Sequence, residues 1–172
     1  PAKIQTNSCP TYYLSTVPAY GRDGRYSVAV TMLSQIGNVE AARHTVQAIS
    51  DLNPDYVLMV GIAGGVPGRV GLGDVVVATE IFYYELAKRY REGLQRRHRV
   101  YPVDPLLLDR AQNYNDTTWQ NLVSIERPDG KATEVPEVAF GPVAAGEKVV
   151  ADSGFVSALI ESSPKLTGIE ME

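Results

Sequence analysis

The residues best suited to hold a ligand are glycines. Gly61-Ile62-Ala63-Gly64-Gly65 directly follows the apolar run Tyr56-Val57-Leu58-Met59-Val60. A short continuous apolar run reads as a strand covered on both faces, and open parallel sheets bind their ligands beyond the carboxyl ends of such strands. Glycines at that point let a flat or anionic ligand reach backbone N–H groups with no Cβ in the way. Gly71-Leu72-Gly73 is the nearest approach to a dinucleotide fingerprint, yet it opens the apolar strand Asp74-Thr79 where that fingerprint must open a helix, so it is rejected. Neither G-K-[ST] nor G-x-S-x-G occurs, which removes the signatures of P-loop hydrolysis and of α/β-hydrolases. Two histidines and one cysteine, far apart in sequence, argue against a zinc or iron site.

A second feature is electrical. Lys88, Arg89, Arg91, Arg96, Arg97 and Arg99 crowd into twelve residues, whereas the rest of the chain carries ten basic and nineteen acidic residues. One reading is a solvated loop or helix face. The other places the cluster near the mouth of the pocket, with Arg96, Arg97 and Arg99 as contacts for the phosphates of a nucleotide. Nucleic acid fits less well, because the net charge is -4 and no recognition motif is present.

These loops need elements to hold them. Tyr26-Leu33 alternates and then turns apolar, Tyr12-Leu14 is its expected partner, and Gly21-Arg22-Asp23-Gly24 supplies hairpin turn residues. A helix is expected with Asn38 as its N-cap and Glu40 in its first turn, stopping at Asn53-Pro54. Val39, Ala42, Val46 and Ile49 form its apolar stripe, and His44 falls off that stripe as a surface residue. Strand, helix and the run Tyr56-Val60 then make a βαβ unit, which places the chain in the parallel α/β class. Further on, strands are expected at Asp74-Thr79 and Phe140-Ala145, and helices at Pro105-Asn113 and Asp152-Ile160, the last capped by Asp152. Tyr83 and Tyr84 are candidates to line a pocket or a subunit contact.

The 172 residues suit one globular domain with a real core, and no internal repeat or linker divides them. Hydrophobic residues at 44% and charged residues at 21% exclude disordered and low-complexity classes. No apolar run approaches the ~20 residues of a membrane-spanning helix. A single cysteine, Cys9, makes no internal disulfide and has no nucleophile context around it, and the first residues lack a secretory pattern. A cytoplasmic protein is expected. Pro1 is not an initiator methionine and Gly168-Glu172 reads as the end of a strand, so a processed protein or an excised part of a larger one is expected.

Four segments, taken in order, carry a resemblance: Gly37-Asn38-Val39-Glu40-Ala41-Ala42; Val60-Gly61-Ile62-Ala63-Gly64-Gly65-Val66; Val70-Gly71-Leu72-Gly73-Asp74-Val75-Val76-Val77; and Gly168-Ile169-Glu170-Met171-Glu172. Gly146-Glu147-Lys148-Val149-Val150 is a looser fifth. Together they resemble the nucleoside phosphorylase and methylthioadenosine/S-adenosylhomocysteine nucleosidase superfamily from about Tyr26 to the end. The resemblance implies a three-layer α/β fold, with a mixed, largely parallel central sheet flanked by helices. It implies cleavage of the N-glycosidic bond of a purine nucleoside or nucleotide, without metal or organic cofactor, by a homo-oligomer, with a dimer favoured.

Carried over residue by residue, the resemblance sets Ala63 and Gly64 beside the purine and Val149 where the family often has an aromatic ring. Val150 would offer its backbone to the base edge, Met171 would pack under the ribose, and Glu172 would accept hydrogen bonds from the ribose hydroxyls. A carboxylate suits that task because it only accepts hydrogen bonds and can hold two hydroxyls. It also stabilises an oxocarbenium-like sugar. The arginine and serine that hold phosphate in phosphorylases appear here as Met59 and Ile62. An anion there would lack charge-assisted hydrogen bonds, so hydrolase is preferred to phosphorylase. The family's general-acid aspartate, after the Glu-Met-Glu motif, and its water-activating glutamate, before the aligned region, have no counterpart here. No catalytic residue is therefore assigned, and these residues alone are expected to bind a nucleoside without transferring protons. A nucleoside-binding module of a larger protein is the competing expectation.

Overall fold

The computed structural model describes residues 2–5, 10–19, 21, 23–90, 93–125, 135–147 and 152–170, with backbone alone for 2–5, 87–90 and 93–96. They form two compact units, Pro1–Val60 and Gly61–Glu172.

In the first unit, strands β1 (Ala2–Gln5), β2 (Thr11–Pro18) and β3 (Arg25–Val30) make an antiparallel sheet. The expected hairpin is present, with Gly21 (φ 70°) and Gly24 (φ 129°) taking the backbone conformations that side chains resist. Ala19 N donates to Gly24 O at 3.0 Å and closes the loop. Helix α1 (Asn38–Leu52) follows and ends at Asn53, whose left-handed backbone lets its N–H reach Ile49 O at 2.9 Å before Pro54.

Two expectations fail in this unit. The stripe of Val39, Val46 and Ile49 is exposed by 78, 67 and 46%, while Ala41 and His44 are buried. The helix instead turns inward the face of Ala41, His44, Ala48 and Leu52, which share helical spacing. Its anchor is polar: Tyr12 on β2, itself buried, donates its hydroxyl to Asp51 at 2.8 Å. His44 tolerates burial because Nδ1 lies 3.3 Å from Glu40 O and 3.2 Å from the Glu40 carboxylate. Arg43 hydrogen bonds, with a smaller contribution from Ser34, hold that carboxylate down at about 2 against the desolvation that opposes it. The second failure is the run Tyr56–Val60. It joins no strand among the described residues and is exposed along its length, so β3, α1 and this run do not close a parallel βαβ unit.

The second unit holds a mixed five-stranded sheet in the order β4-β10-β9-β5-β8, made of β4 (Gly64–Gly65), β5 (Val75–Tyr83), β8 (Arg99–Pro102), β9 (Val138–Ala145) and β10 (Gly168–Glu170). Its three inner strands run parallel and the two outer ones antiparallel to them. Between β5 and β8 lies a separate hairpin, β6 (Ala87–Tyr90) and β7 (Gly93–Arg96). Helices α2 (Pro105–Gln112) and α3 (Ser153–Ser162) flank the sheet, capped by Asp104 and Asp152 as the sequence leads one to expect of the latter. The core gathers Val66, Phe82, Tyr84, Ala144, Leu159 and Leu166, with Phe155 and Ile160 of α3 against it. Among the described residues, no helix is long and apolar enough to cross a membrane.

Proline sits inside this sheet at a position that explains an irregularity. Pro142 has no N–H to give the ladder, and the β5–β9 register shifts between Ala78 and Ile81, so Thr79 and Glu80 together face it. Its carbonyl is used twice, accepting from Thr167 N and Thr167 Oγ1, both at 2.9 Å. Gly141 beside it is required by space: a Cβ would overlap the Thr167 methyl and stand 3.2 Å from Lys165 O. Gly141→Ala is expected to destabilise this unit by about 2 kcal/mol, as overpacking does. Urea denaturation checks this, and an unchanged midpoint would refute it.

Candidate functional site

The glycine segments fold into turns that tie the sheet together. Gly73 (φ 86°) closes a turn in which Asp74 accepts from Gly71 N at 2.6 Å. The other oxygen of Asp74 accepts from Glu137 N at 3.0 Å and fixes the start of β9 against β5. Gly71-Leu72-Gly73 is thus a strand-opening turn, in keeping with its rejection as a dinucleotide motif. One turn earlier, Arg69 reaches back across the fold and donates to Leu166 O at 2.6 Å and Pro164 O at 2.5 Å, the carbonyls that lead into β10. Val66 N donates to Thr167 O at 3.0 Å. These contacts hold the end of the Gly61–Gly65 loop against β10, where Gly64 pairs with Ile169 and Gly65 with Gly168.

A level row of residues crosses the carboxyl ends of the parallel strands. Arg99 pairs with Tyr83, Tyr83 with Ala145, and Ala145 with Glu170. Just beyond the row the strands are stitched again: Tyr84 N donates to Ala145 O at 3.2 Å, Gly146 N to Glu170 O at 3.3 Å, and Glu147 N to the Glu85 carboxylate at 3.1 Å. Tyr84 is buried and meets Phe155 edge to face, with ring centroids 5.4 Å apart. Burial first, then the charges of Glu85 and Glu170, push its phenol up to about 12. Tyr84 is therefore a neutral hydroxyl beside two carboxylates at the carboxyl end of the sheet.

The sequence-expected residues fare unequally. Ala63 and Gly64 are described, border β10, and stand by the strand that leads into the Glu-Met-Glu motif. Val149, Val150, Met171 and Glu172 lie outside the described residues, as do Cys9 and Arg91. Arg96 is described by its backbone in β7, Arg97 is exposed, and the Arg99 guanidinium lies over the Tyr101 ring at 5.6 Å. Met59 and Ile62, the positions of a phosphorylase's anion ligands by resemblance, are exposed. Sequence reasoning named Gly146 and Glu170 within the resembling segments but gave them no role, and it did not single out Glu85. Each follows or ends an apolar strand, and that was the available signal.

Strands with parallel carboxyl ends, a glycine loop beside them and polar groups gathered there define an open α/β arrangement, the class in which ligands sit beyond the strand ends. Comparison with known proteins narrows the class. The phosphorylase superfamily matches residues 11–172, and the chain belongs to it. It is 30% identical over 156 residues to a 5'-methylthioadenosine/S-adenosylhomocysteine nucleosidase of Maridesulfovibrio salexigens, covering 88% of this chain and 61% of that protein. It is 27% identical over 163 residues to the ATP nucleosidase Cap17 of Escherichia coli, covering 87% of this chain and 32% of the other. The fold matches that of the Streptococcus pneumoniae MTA/SAH nucleosidase in complex with 8-aminoadenine, with a TM-score of 0.69, 19% identity, and coverage of 99% of this chain and 65% of that one. It likewise matches the Colwellia psychrerythraea nucleosidase in complex with adenine, with a TM-score of 0.66, 20% identity, and coverage of 99% and 63%. The chain thus spans less than two thirds of these relatives' own lengths.

Proposed function

We propose that this chain binds an adenine nucleoside compound at the carboxyl edge of its sheet, and that the whole protein hydrolyses the N-glycosidic bond of that compound. The observation that carries this reading is the pairing of Gly64 with Ile169, which sets the glycine loop beside the strand entering Glu170-Met171-Glu172. Ala63 and Gly64 are assigned to the base, together with Val149 and the backbone of Val150. Met171 and Glu172 are assigned to the ribose. The relatives named above act on methylthioadenosine, S-adenosylhomocysteine or ATP, which share adenosine. Water is the nucleophile in this reading, because Met59 and Ile62 offer no charge-assisted hydrogen bond to phosphate. Carboxylates gathered at the edge suit a sugar that becomes cationic as the bond breaks.

Calorimetric titration tests the assignment. Glu172→Gln is expected to weaken adenosine about tenfold, the loss of a hydrogen bond to a charged group, and to leave free adenine within about twofold. Equal weakening of both, or no binding of either by the unaltered protein, would sink it.

A further inference from the structure

The carboxyl edge of the sheet is electrically divided. Towards β9 and β10 stand Glu85, which accepts from Glu147 N, together with Glu147 and Glu170. Towards β8 stands the hairpin β6–β7. It leaves the sheet after β5 and returns into β8, with Arg97 N donating to Leu86 O at 2.7 Å across its base. Since Tyr83 pairs with Arg99, the base of the hairpin lies at the same end of the sheet as Glu170. Lys88, Arg89 and Arg96 occupy its strands, Arg91 falls in the sequence joining them, and Arg97 and Arg99 follow.

Gathering like charges on one short element costs stability unless an opposite charge visits it. No described salt bridge joins Arg97 or Arg99 to a carboxylate, and both are exposed. Arg99 is propped on Tyr101, donating to its hydroxyl at 3.4 Å, which leaves the rest of its planar fork for an anion. Distance decides what kind of anion fits. From Glu170 to Arg99 the row crosses β10, β9, β5 and β8, three ladder steps of ~4.8 Å, or about 14 Å. A nucleoside placed with its ribose at β10 falls short of that span, whereas one extended by a short phosphate chain reaches it.

We infer that the ligand is a nucleoside polyphosphate, with its purine and ribose at the β4–β10 side and its phosphates held where the hairpin returns into β8, by Arg97 and Arg99. The charge division then matches the ligand: carboxylates at the sugar that turns cationic, arginines at the end that stays anionic. This rests on the purine-binding reading above, and the test separates the two.

Titrate the protein with adenosine, ATP, inorganic tripolyphosphate and a short RNA oligonucleotide at low and moderate salt. ATP is expected to bind about tenfold or more tightly than adenosine, with a preference that shrinks as salt rises. Tripolyphosphate should compete with ATP. In a variant carrying Arg96→Ala, Arg97→Ala and Arg99→Ala, the preference for ATP over adenosine should collapse to near unity, and the same positions changed to Lys should keep most of it. Equal binding of ATP and adenosine, a preference that survives the Ala variant, or tighter binding of RNA than of ATP would each overturn the proposal. If tripolyphosphate binds and needs the arginines while neither ATP nor adenosine gains from its base, the phosphate site stands and the purine reading falls.

Discussion

Gly146→Ala is expected to cost the second unit about 3 kcal/mol and to disrupt the carboxyl edge of its sheet at the same time. A Cβ at this position would overlap Tyr84, at its ring carbon Cζ and its hydroxyl oxygen. Tyr84 cannot yield cheaply: it is buried in the core and held edge to face by Phe155 of α3. Moving the ring would strain the bonds from Tyr84 N to Ala145 O and from Gly146 N to Glu170 O, which align the ends of three strands. The effect is steric, since Gly146 is not among the glycines with left-handed backbone. A double-mutant cycle makes the argument quantitative. Tyr84→Ala alone should cost about 3–5 kcal/mol as a large core deletion. With the ring gone the added methyl meets no clash, so the double variant should fall short of the sum by about 3 kcal/mol. Strict additivity in urea denaturation would show that Gly146 is not there to admit the ring.

The same edge shows which features a sequence can disclose. β5, β9 and α3 were readable because each carries its own signal: an apolar run of strand length, or helical spacing behind an Asp cap. The family match was readable because glycines recur where turns demand them. What escaped depends on partners distant in sequence. β4 consists of two glycines and has no side-chain period, so only its ladder with β10 reveals it. Tyr84 and Gly146 are sixty-two positions apart, and neither type alone marks a contact. α1 was located to within a residue, its N-cap being Gly37 where Asn38 was expected, yet its buried face was misjudged. Periodicity ranks histidine as polar, while the fold covers His44 and joins Tyr12 to Asp51. Tyr56–Val60 has the composition of a buried strand, but composition supplies no ladder, and the residues are exposed. The basic cluster lacked alternation and gave no sign of the hairpin that carries it to the end of β5.

Raising the pH should weaken both units over one window, through one buried tyrosine in each. Tyr12 is pushed up to about 12 by burial first and then by the Asp51 carboxylate it donates to, and Tyr84 is pushed up to about 12 by burial and by Glu85 and Glu170. In an unfolded chain both phenols ionise near 10. Between about 10 and 12, therefore, the unfolded state has released protons that the folded state still holds, and the slope of unfolding free energy against pH is negative. The stability these phenols contribute is complete below about pH 10 and lost as pH climbs towards 12. Each phenol should account for on the order of 2 kcal/mol of that loss. Ionising Tyr12 would turn the donor of a 2.8 Å hydrogen bond into an anion facing a carboxylate. The comparison is therefore made within the protein, parent against variant. Tyr12→Phe and Tyr84→Phe should each flatten the alkaline fall of urea-unfolding stability, and the pair together should flatten it by about 4 kcal/mol. Tyr12→Phe should also cost about 1 kcal/mol at neutral pH by deserting Asp51. An alkaline fall as steep in the double variant as in the parent would show that neither phenol is protected by its fold.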